Sequence, residues 1–211
     1  KTGATIVFGP NAKADFDFHV ATDGEEFKVG ELTLKLLHTP GHTMESSSYL
    51  LLDKDGKENC VFTGDTLFIG DVGRPDLAVK SDITQEGLAG YLFDSLRSKL
   101  MTLPDSVIVY PSHGAGSACG KNMSKETFDT LGHQKEVNYA LRADMTKDEF
   151  VKEVLTGLIT PPAYFPKNVA MNKSVNTEID EILKTGTIPL TIDTFKAMVD
   201  SKGAMIIDTR H

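Results

Sequence analysis

At 211 residues, 40% of them hydrophobic, the chain is long enough to bury one substantial domain and a piece of another. Its 22 Lys and Arg against 30 Asp and Glu give a net charge of −8, and with no basic block or interleaved aromatic platform nucleic acid is not expected as a partner. No apolar stretch approaches the roughly 18 residues of a membrane span, and 2 cysteines are too few for a disulfide framework, so we expect no membrane partner and a reducing, cytoplasmic compartment.

The start, Lys1-Thr2-Gly3-Ala4, does not read as a signal peptide and lacks an initiator methionine, so we expect the chain to be a piece of a longer one. Thr5-Ile6-Val7-Phe8 reads as a short strand stopped by Gly9-Pro10-Asn11, and residues 15–19 read as loop, with His19 a surface histidine. Residues 26–29 and 32–37 show period-two patterning around Gly30-Glu31, which predicts a hairpin whose second strand ends at His38. Proline cannot donate to a sheet ladder and glycine accepts backbone angles other residues avoid, so Thr39-Pro40-Gly41 ends this strand in a sharp turn that presents His42. Thr39 and Thr43 read as loop-stabilising hydroxyls. A further strand is predicted at 46–53, and Lys54-Asp55-Gly56-Lys57 returns the chain into the next.

The grammar that presents His42 occurs twice more. Asn59-Cys60-Val61-Phe62-Thr63-Gly64-Asp65 is a β-prone run, a glycine and a carboxylate, with Cys60 read as packing. Ser106-Val107-Ile108-Val109-Tyr110-Pro111-Ser112-His113 is a β-branched run, a proline and a histidine. Three strands, each followed by a tight turn and a metal-competent side chain, point to a metal centre. Imidazole and carboxylate donors suit zinc, or a non-haem iron with positions left open for substrate and dioxygen.

Helical spacing begins near residue 82, where Leu88, Leu92, Leu96 and Leu100 fall on one face with Phe93 alongside, and Ser81 or Asp82 is the expected cap. Ser124-Lys125-Glu126-Thr127 is read as the start of another helix, and Thr146-Lys147-Asp148-Glu149 has capping-box spacing ahead of Phe150, Val151, Val154, Leu155 and Leu158, a helix that Pro161-Pro162 breaks. Residues 161–173 read as irregular. Beyond a boundary within 172–178 the patterning predicts helices at 178–183 and 192–199 and a strand at 204–208. Strands, a helix, a strand and then helices imply a sheet-containing α/β core with helices packed outside it.

Leu37-His38-Thr39-Pro40-Gly41-His42-Thr43, Thr63-Gly64-Asp65-Thr66-Leu67-Phe68 and Pro111-Ser112-His113-Gly114, in this order, resemble the later metal motifs of the metallo-β-lactamase superfamily. Gly70-Asp71-Val72-Gly73-Arg74-Pro75-Asp76-Leu77, Gly116-Ser117-Ala118-Cys119-Gly120 and Tyr164-Phe165-Pro166-Lys167-Asn168 are similar to the persulfide dioxygenase branch that is fused to rhodanese domains. Pro189-Leu190-Thr191 and Ile206-Ile207-Asp208-Thr209-Arg210 resemble the opening of a rhodanese domain. The resemblance implies an αββα sandwich over residues 1–174, incomplete at its N-terminus, then a linker and the beginning of a rhodanese-like α/β domain over 175–211. The superfamily's first metal motif, His-x-His-x-Asp-His, does not occur in the 211 residues.

The activity implied is oxidation of a low-molecular-weight persulfide by dioxygen to sulfite and thiol, with one Fe(II) per site and a rhodanese domain in the same parent chain. His42 and Asp65 match two of the iron ligands, and the missing motif supplies the third. The position of His113 matches a second metal site that is filled in zinc enzymes of the glyoxalase II type and usually vacant in the mono-iron dioxygenases, so His113 is expected to line the pocket or support a ligand. Arg74 could clamp a substrate carboxylate with Asp76 orienting it, or the two could form a structural ion pair. Cys119 is a candidate persulfide carrier or a buried inert thiol. Assembly as a homo-oligomer is expected. Two other readings stand beside this one, a binuclear zinc thioesterase and an inactive fragment or binding module.

Overall fold

A computed structural model of the chain describes residues 2–78, 83–175, 177, 179–201 and 205–208. Two short strands, β1 (Val7–Phe8) and β2 (His19–Val20), pair in parallel. Next come β3 (Glu26–Val29) and β4 (Leu32–His38), joined by the two-residue turn that Gly30 makes possible with its φ of +61°. They are followed by β5 (Ser47–Leu52), β6 (Glu58–Gly64), the small hairpin β7 (Leu67–Phe68) and β8 (Asp71–Val72), then helix α1 (Gln85–Ser95). Strands β9 (Ile108–Pro111) and β10 (Asp129–Thr130) complete a six-stranded sheet ordered β10-β9-β6-β5-β4-β3.

The pairing directions decide where the site can form. β4 is antiparallel to β5, β5 is antiparallel to β6, and β6 is parallel to β9, so β4, β6 and β9 all run the same way. Their C-terminal ends therefore share one edge of the sheet, and the turns carrying His42, Asp65 and His113 leave from that edge.

The register Leu50↔Val61↔Val109 puts these residues on one face of the sheet, and Leu37 shares it. Leu88, Leu92, Leu96 and Leu100 pack there, each fully buried, the last two on a single π-helical turn, Leu96–Leu100, that continues α1. Helix α3 (Lys147–Leu155) lies over α1, with Phe150 buried and its ring 5.4 Å from that of Phe93. Its Thr146 and Glu149 form the capping box that their spacing predicts, but the helix ends at Leu155, short of the expected Leu158, because Gly157 turns the chain at φ +75°. The opposite sheet face carries the ring contacts Phe62–Tyr110 and Tyr110–Phe128, and the β1 carbonyl of Val7 accepts a hydrogen bond from Tyr49.

Four local expectations need correction. Residues 124–127 are not helical. Ser124 donates its backbone N–H to Ile69, Asp129–Thr130 adds β10 to the sheet edge, and only then does α2 (Leu131–Val137) begin, capped by Thr130. Residues 161–173 contain helix α4 (Phe165–Asn172), because Pro166 falls in the first turn, where proline's missing N–H costs nothing. His19 belongs to a strand, β2, although it is exposed as expected. Met205–Asp208 form no strand, since a strand needs a neighbour and none of the described strands pairs with them. Helix α5 (Ile179–Gly186) runs past the predicted end at 183, whereas α6 (Ile192–Val199) has the predicted bounds. The expected cap at Ser81 or Asp82 lies outside the described residues, and Thr84 accepts the capping bond from Gly87. Among the described residues no helix is long and apolar enough to cross a membrane.

Candidate metal centre

His42 is placed by a turn that has no room for a side chain. Gly41 has φ +150°, and a Cβ on it would lie 2.4–2.6 Å from atoms of Leu92 in α1. The same helix holds the turn through Ser95, whose hydroxyl donates to the Pro40 carbonyl at 2.7 Å. Thr39 is buried, with its hydroxyl bonded to those of Ser48 and Thr66, and Thr43 is bonded to Ser46, so both do the loop work read from the sequence. The His42 ring faces two ways. Nδ1 lies 2.8 Å from the Arg74 carbonyl, which can only accept, so Nδ1 is the donor there and Nε2 is turned toward Asp65 Oδ2 at 3.3 Å. A carbonyl fixing one ring nitrogen while the other faces a carboxylate is the arrangement of a metal-ligating histidine.

Asp65 follows Gly64, whose φ of +52° turns the chain out of β6. Its second oxygen, Oδ1, accepts a hydrogen bond from Ser112 and lies 3.2 Å from His113 Nδ1. That nitrogen is buried and has no hydrogen-bond partner. A buried nitrogen facing a carboxylate without bonding to it fits a position that a cation would bridge. Asp65, His113 and Cys119 each offer a ligand atom, all within 4.8 Å of one another, so the group can hold a metal ion.

The loop carrying Cys119 is tied down from below. Arg74 is buried, and its guanidinium reaches both oxygens of Asp76 at 2.7 Å, the Ile159 carbonyl at 2.6 Å and the Ala118 carbonyl at 3.3 Å. Its backbone N–H donates to the Cys119 carbonyl at 3.0 Å. Arg74 and Asp76 therefore have the geometry of a structural ion pair holding the loop, with the guanidinium fork filled from within the chain. Asp71, fully buried, holds the other end. Its carboxylate accepts from the backbone N–H groups of Val72, Lys121 and Asn122 and from the Tyr139 hydroxyl. Tyr139 is pushed up by burial and then by the Asp71 charge, so it stays a donor. Burial pushes the Cys119 thiol up as well; a hydrogen bond with Ser117 opposes this, and the charge and hydrogen bond of Asp65 add to it.

The structure thus brings His42, Asp65, His113 and Cys119 together and puts Arg74 and Asp76 beneath them as support. Sequence reasoning gave Asp71, Gly73 and Ser112 no role, although each stood inside a quoted motif. Gly73 leaves room where a Cβ would meet the Asp65 carbonyl oxygen at 1.7 Å and His42 Nδ1 at 3.2 Å. No residue-type signal marks such a glycine; its meaning comes from the His42 and Asp65 atoms that crowd it.

The family model described as the metallo-β-lactamase superfamily matches residues 2–113, a span that includes His42, Asp65 and His113. A metallo-β-lactamase structure from Staphylococcus aureus is similar at 31% identity and TM-score 0.74, over 83% of this chain and 52% of that one. The structure of ETHE1 from Myxococcus xanthus is similar at 33% identity and TM-score 0.61, over 81% of this chain and 68% of that one. Among curated relatives, glyoxylase B2 of Dictyostelium discoideum is 33% identical over 68% of this chain and 44% of its own length. The mitochondrial persulfide dioxygenase ETHE1 of Homo sapiens is 29% identical over 71% of this chain and 50% of its own length. The chain thus spans half or less of the length of these two curated relatives. With the family model matching more than half of it, the strand-turn-ligand order of its site and its similarity to these structures, the chain belongs to the metallo-β-lactamase superfamily.

Proposed function

We propose that this chain is part of a mononuclear non-haem iron enzyme that oxidises a low-molecular-weight persulfide with dioxygen, giving sulfite and a thiol. The observation that carries the reading is the His42–Asp65 pair, with Nδ1 held by the Arg74 carbonyl and Nε2 turned to the carboxylate, in a chain similar to a persulfide dioxygenase. His42 and Asp65 would hold Fe(II), together with a ligand from the His-x-His-x-Asp-His motif expected of the family and not contained in these residues. Bound iron would supply the redox centre at which dioxygen meets the terminal sulfur of the persulfide.

The chain's own residues do the rest. The Arg74 carbonyl keeps the His42 lone pair pointed into the site, and Ser112 fixes the rotation of the Asp65 carboxylate. Beside Cys119, a cleft of about 530 Å³ lined by Ser117, Lys121, Asn122 and Ile159 has room for the organic end of a glutathione-sized persulfide. In this reading Arg74 and Asp76 position the cleft and do not grip the substrate. Anaerobic iron loading of the longer parent protein, followed by oxygen uptake with glutathione persulfide, tests the proposal. Uptake with matching sulfite, lost on His42→Ala, is the expected result; no uptake by the iron-loaded parent rejects it.

A binuclear zinc thioesterase is the second reading. It is favoured by Asp65, whose two oxygens face His42 and His113 separately, and by the similarity to glyoxylase B2. Hydrolysis of a glutathione thioester by zinc-loaded parent, with no oxygen uptake by the iron form, would select it. The dioxygenase reading also carries a rhodanese-like domain opening within residues 175–211, a cytoplasmic location and a homo-oligomer. Sulfur transfer between that domain and this site in the parent tests the first, fractionation of the source cell the second, and sedimentation the third.

A further inference from the structure

One edge of the six-stranded sheet is β3, and no described strand pairs with its outer side. The ladder fixes which of its backbone groups face outward. Leu36 donates to the Glu25 carbonyl, and Glu26, Phe27, Lys28 and Val29 pair with Lys35, Leu34, Thr33 and Leu32. Residues of an antiparallel strand alternate between bonding to the neighbour and pointing away from it, so Glu25, Phe27 and Val29 bond inward to β4. Glu26 and Lys28 therefore hold their N–H and C=O groups along the open edge, and both residues are exposed. We propose that this edge is a self-complementary dimer interface, in which β3 pairs antiparallel with β3 of a second copy of the chain about a two-fold axis at Phe27. The proposal rests on the homo-oligomer reading and deepens it by naming the surface and its register.

Three observations carry it. The first is the backbone. With the axis at Phe27, the outward groups of Glu26 meet those of Lys28 in the second copy and the reverse, and each such pair exchanges an N–H and a C=O in both directions. The second is charge. Glu26 and Lys28 are two positions apart and share one face, so the same register sets a carboxylate opposite an ammonium on both sides of the axis. Centring the axis on Glu26 or on Lys28 would set like charges face to face, and placing it between residues would set outward groups against groups already bonded to β4. The third is the apolar face. Phe27 points to the other side of the strand, with its ring 5.8 Å from that of His19 in an edge-on contact. On the axis it meets its own copy at a non-hydrogen-bonded position, where cross-strand side chains are closest. Val29, 55% exposed, and Leu32, 38% exposed, continue this apolar strip.

Within the chain Lys28 donates to Thr33 at 2.6 Å and Glu26 lies 3.9 Å from Lys35, surface contacts of small energy that long side chains can exchange. Pairing would join two six-stranded sheets into one and move β4 away from the margin. The two β4 strands would run in opposite directions, so the two His42 turns leave from opposite sides of the joined sheet and each metal centre stays within its own copy.

Sedimentation of the 211-residue chain and its charge variants tests the interface. A monomer–dimer equilibrium is expected. Glu26→Lys and Lys28→Glu should each weaken it by about tenfold, since each sets like charges opposite one another on both sides of the axis, and the two changes together should restore it to within about threefold. Phe27→Cys gives a second readout. At a non-hydrogen-bonded pair the two Cα atoms stand about 4.5 Å apart, within reach of a disulfide, so mild oxidation should yield a covalent dimer. Val20→Cys, at a position 49% exposed and off the axis, should yield none. Far-ultraviolet dichroism reports that each variant is folded. A monomeric native chain, a double variant as weak as the single ones, or no covalent dimer of Phe27→Cys overturns the interface. A dimer indifferent to all of these changes rejects β3 and leaves the homo-oligomer reading standing through another surface.

Discussion

Helices α3 and α6 begin in the same way and end in different surroundings. Each starts at a threonine whose hydroxyl accepts a backbone N–H three residues on, Thr146 from Glu149 and Thr191 from Thr194. Each then places a phenylalanine one turn in. Phe150 of α3 is fully buried against α1, whereas Phe195 of α6 is 45% exposed, and none of the residues of α6 is buried. The comparison separates two questions that sequence patterning tends to merge. Caps and spacing decide that a helix forms and where it starts; the surface opposite decides whether its apolar face contributes to a core.

That difference has measurable consequences, which run from large to small. Phe150→Ala removes a fully buried ring from the α1–α3 contact and should destabilise the domain by about 3–5 kcal/mol, read as a lower urea midpoint at unchanged slope. A smaller loss would mean that α3 is less firmly packed than Phe150 implies. Asp71→Ala should cost roughly 2–4 kcal/mol, because the Lys121 and Asn122 amides and the Tyr139 hydroxyl lose a buried acceptor together. It should also loosen the Cys119 loop, so that alkylation of Cys119 accelerates in metal-free protein; an unchanged rate would show the loop to be held without Asp71. Thr146→Ala removes the hydroxyl that caps the Glu149 N–H, leaving the Thr146 backbone N–H on the Glu149 carboxylate, and should cost about 1 kcal/mol. Phe195→Ala, the counterpart of Phe150→Ala on α6, should change stability by about 0.5 kcal/mol or less. A loss of several kcal/mol there would reveal a partner for α6 and erase the contrast.

Much of the fold was legible because local chemistry determined it. The Gly30-Glu31 hairpin, the turn at Pro40-Gly41 and the capping box at Thr146 each follow from residues within a few positions of one another. What was misread depended on distant partners. The helix expected to start at 124 gives way to irregular chain leading into the edge strand Asp129–Thr130, because β9 supplies a pairing partner, and Met205–Asp208 pair with none of the described strands. Residues 161–173 were read as irregular although Pro166 falls in the first turn of α4, the one place in a helix where proline fits.

For the site, residue types and their order after the strands named the metal-competent side chains His42, Asp65 and His113. Their convergence needed the sheet, because only the shared direction of β4, β6 and β9 brings three turns separated by up to 71 residues to one edge. The roles of Arg74 and Cys119 were undecidable from the sequence for a related reason. A guanidinium two residues before a carboxylate is compatible with a substrate clamp or an internal pair, and burial with Asp76 in its fork gives it the second geometry. A cysteine six residues past a histidine is compatible with packing or ligation, and proximity to Asp65 and to a buried, unbonded nitrogen is visible only in three dimensions. The sequence by itself determined which side chains can bind a metal and which turns present them, because both follow from local chemistry. Only the tertiary structure decided which of them meet and which oxygen of Asp65 each one faces, because that depends on strand direction and on the loops packed across the sheet's edge.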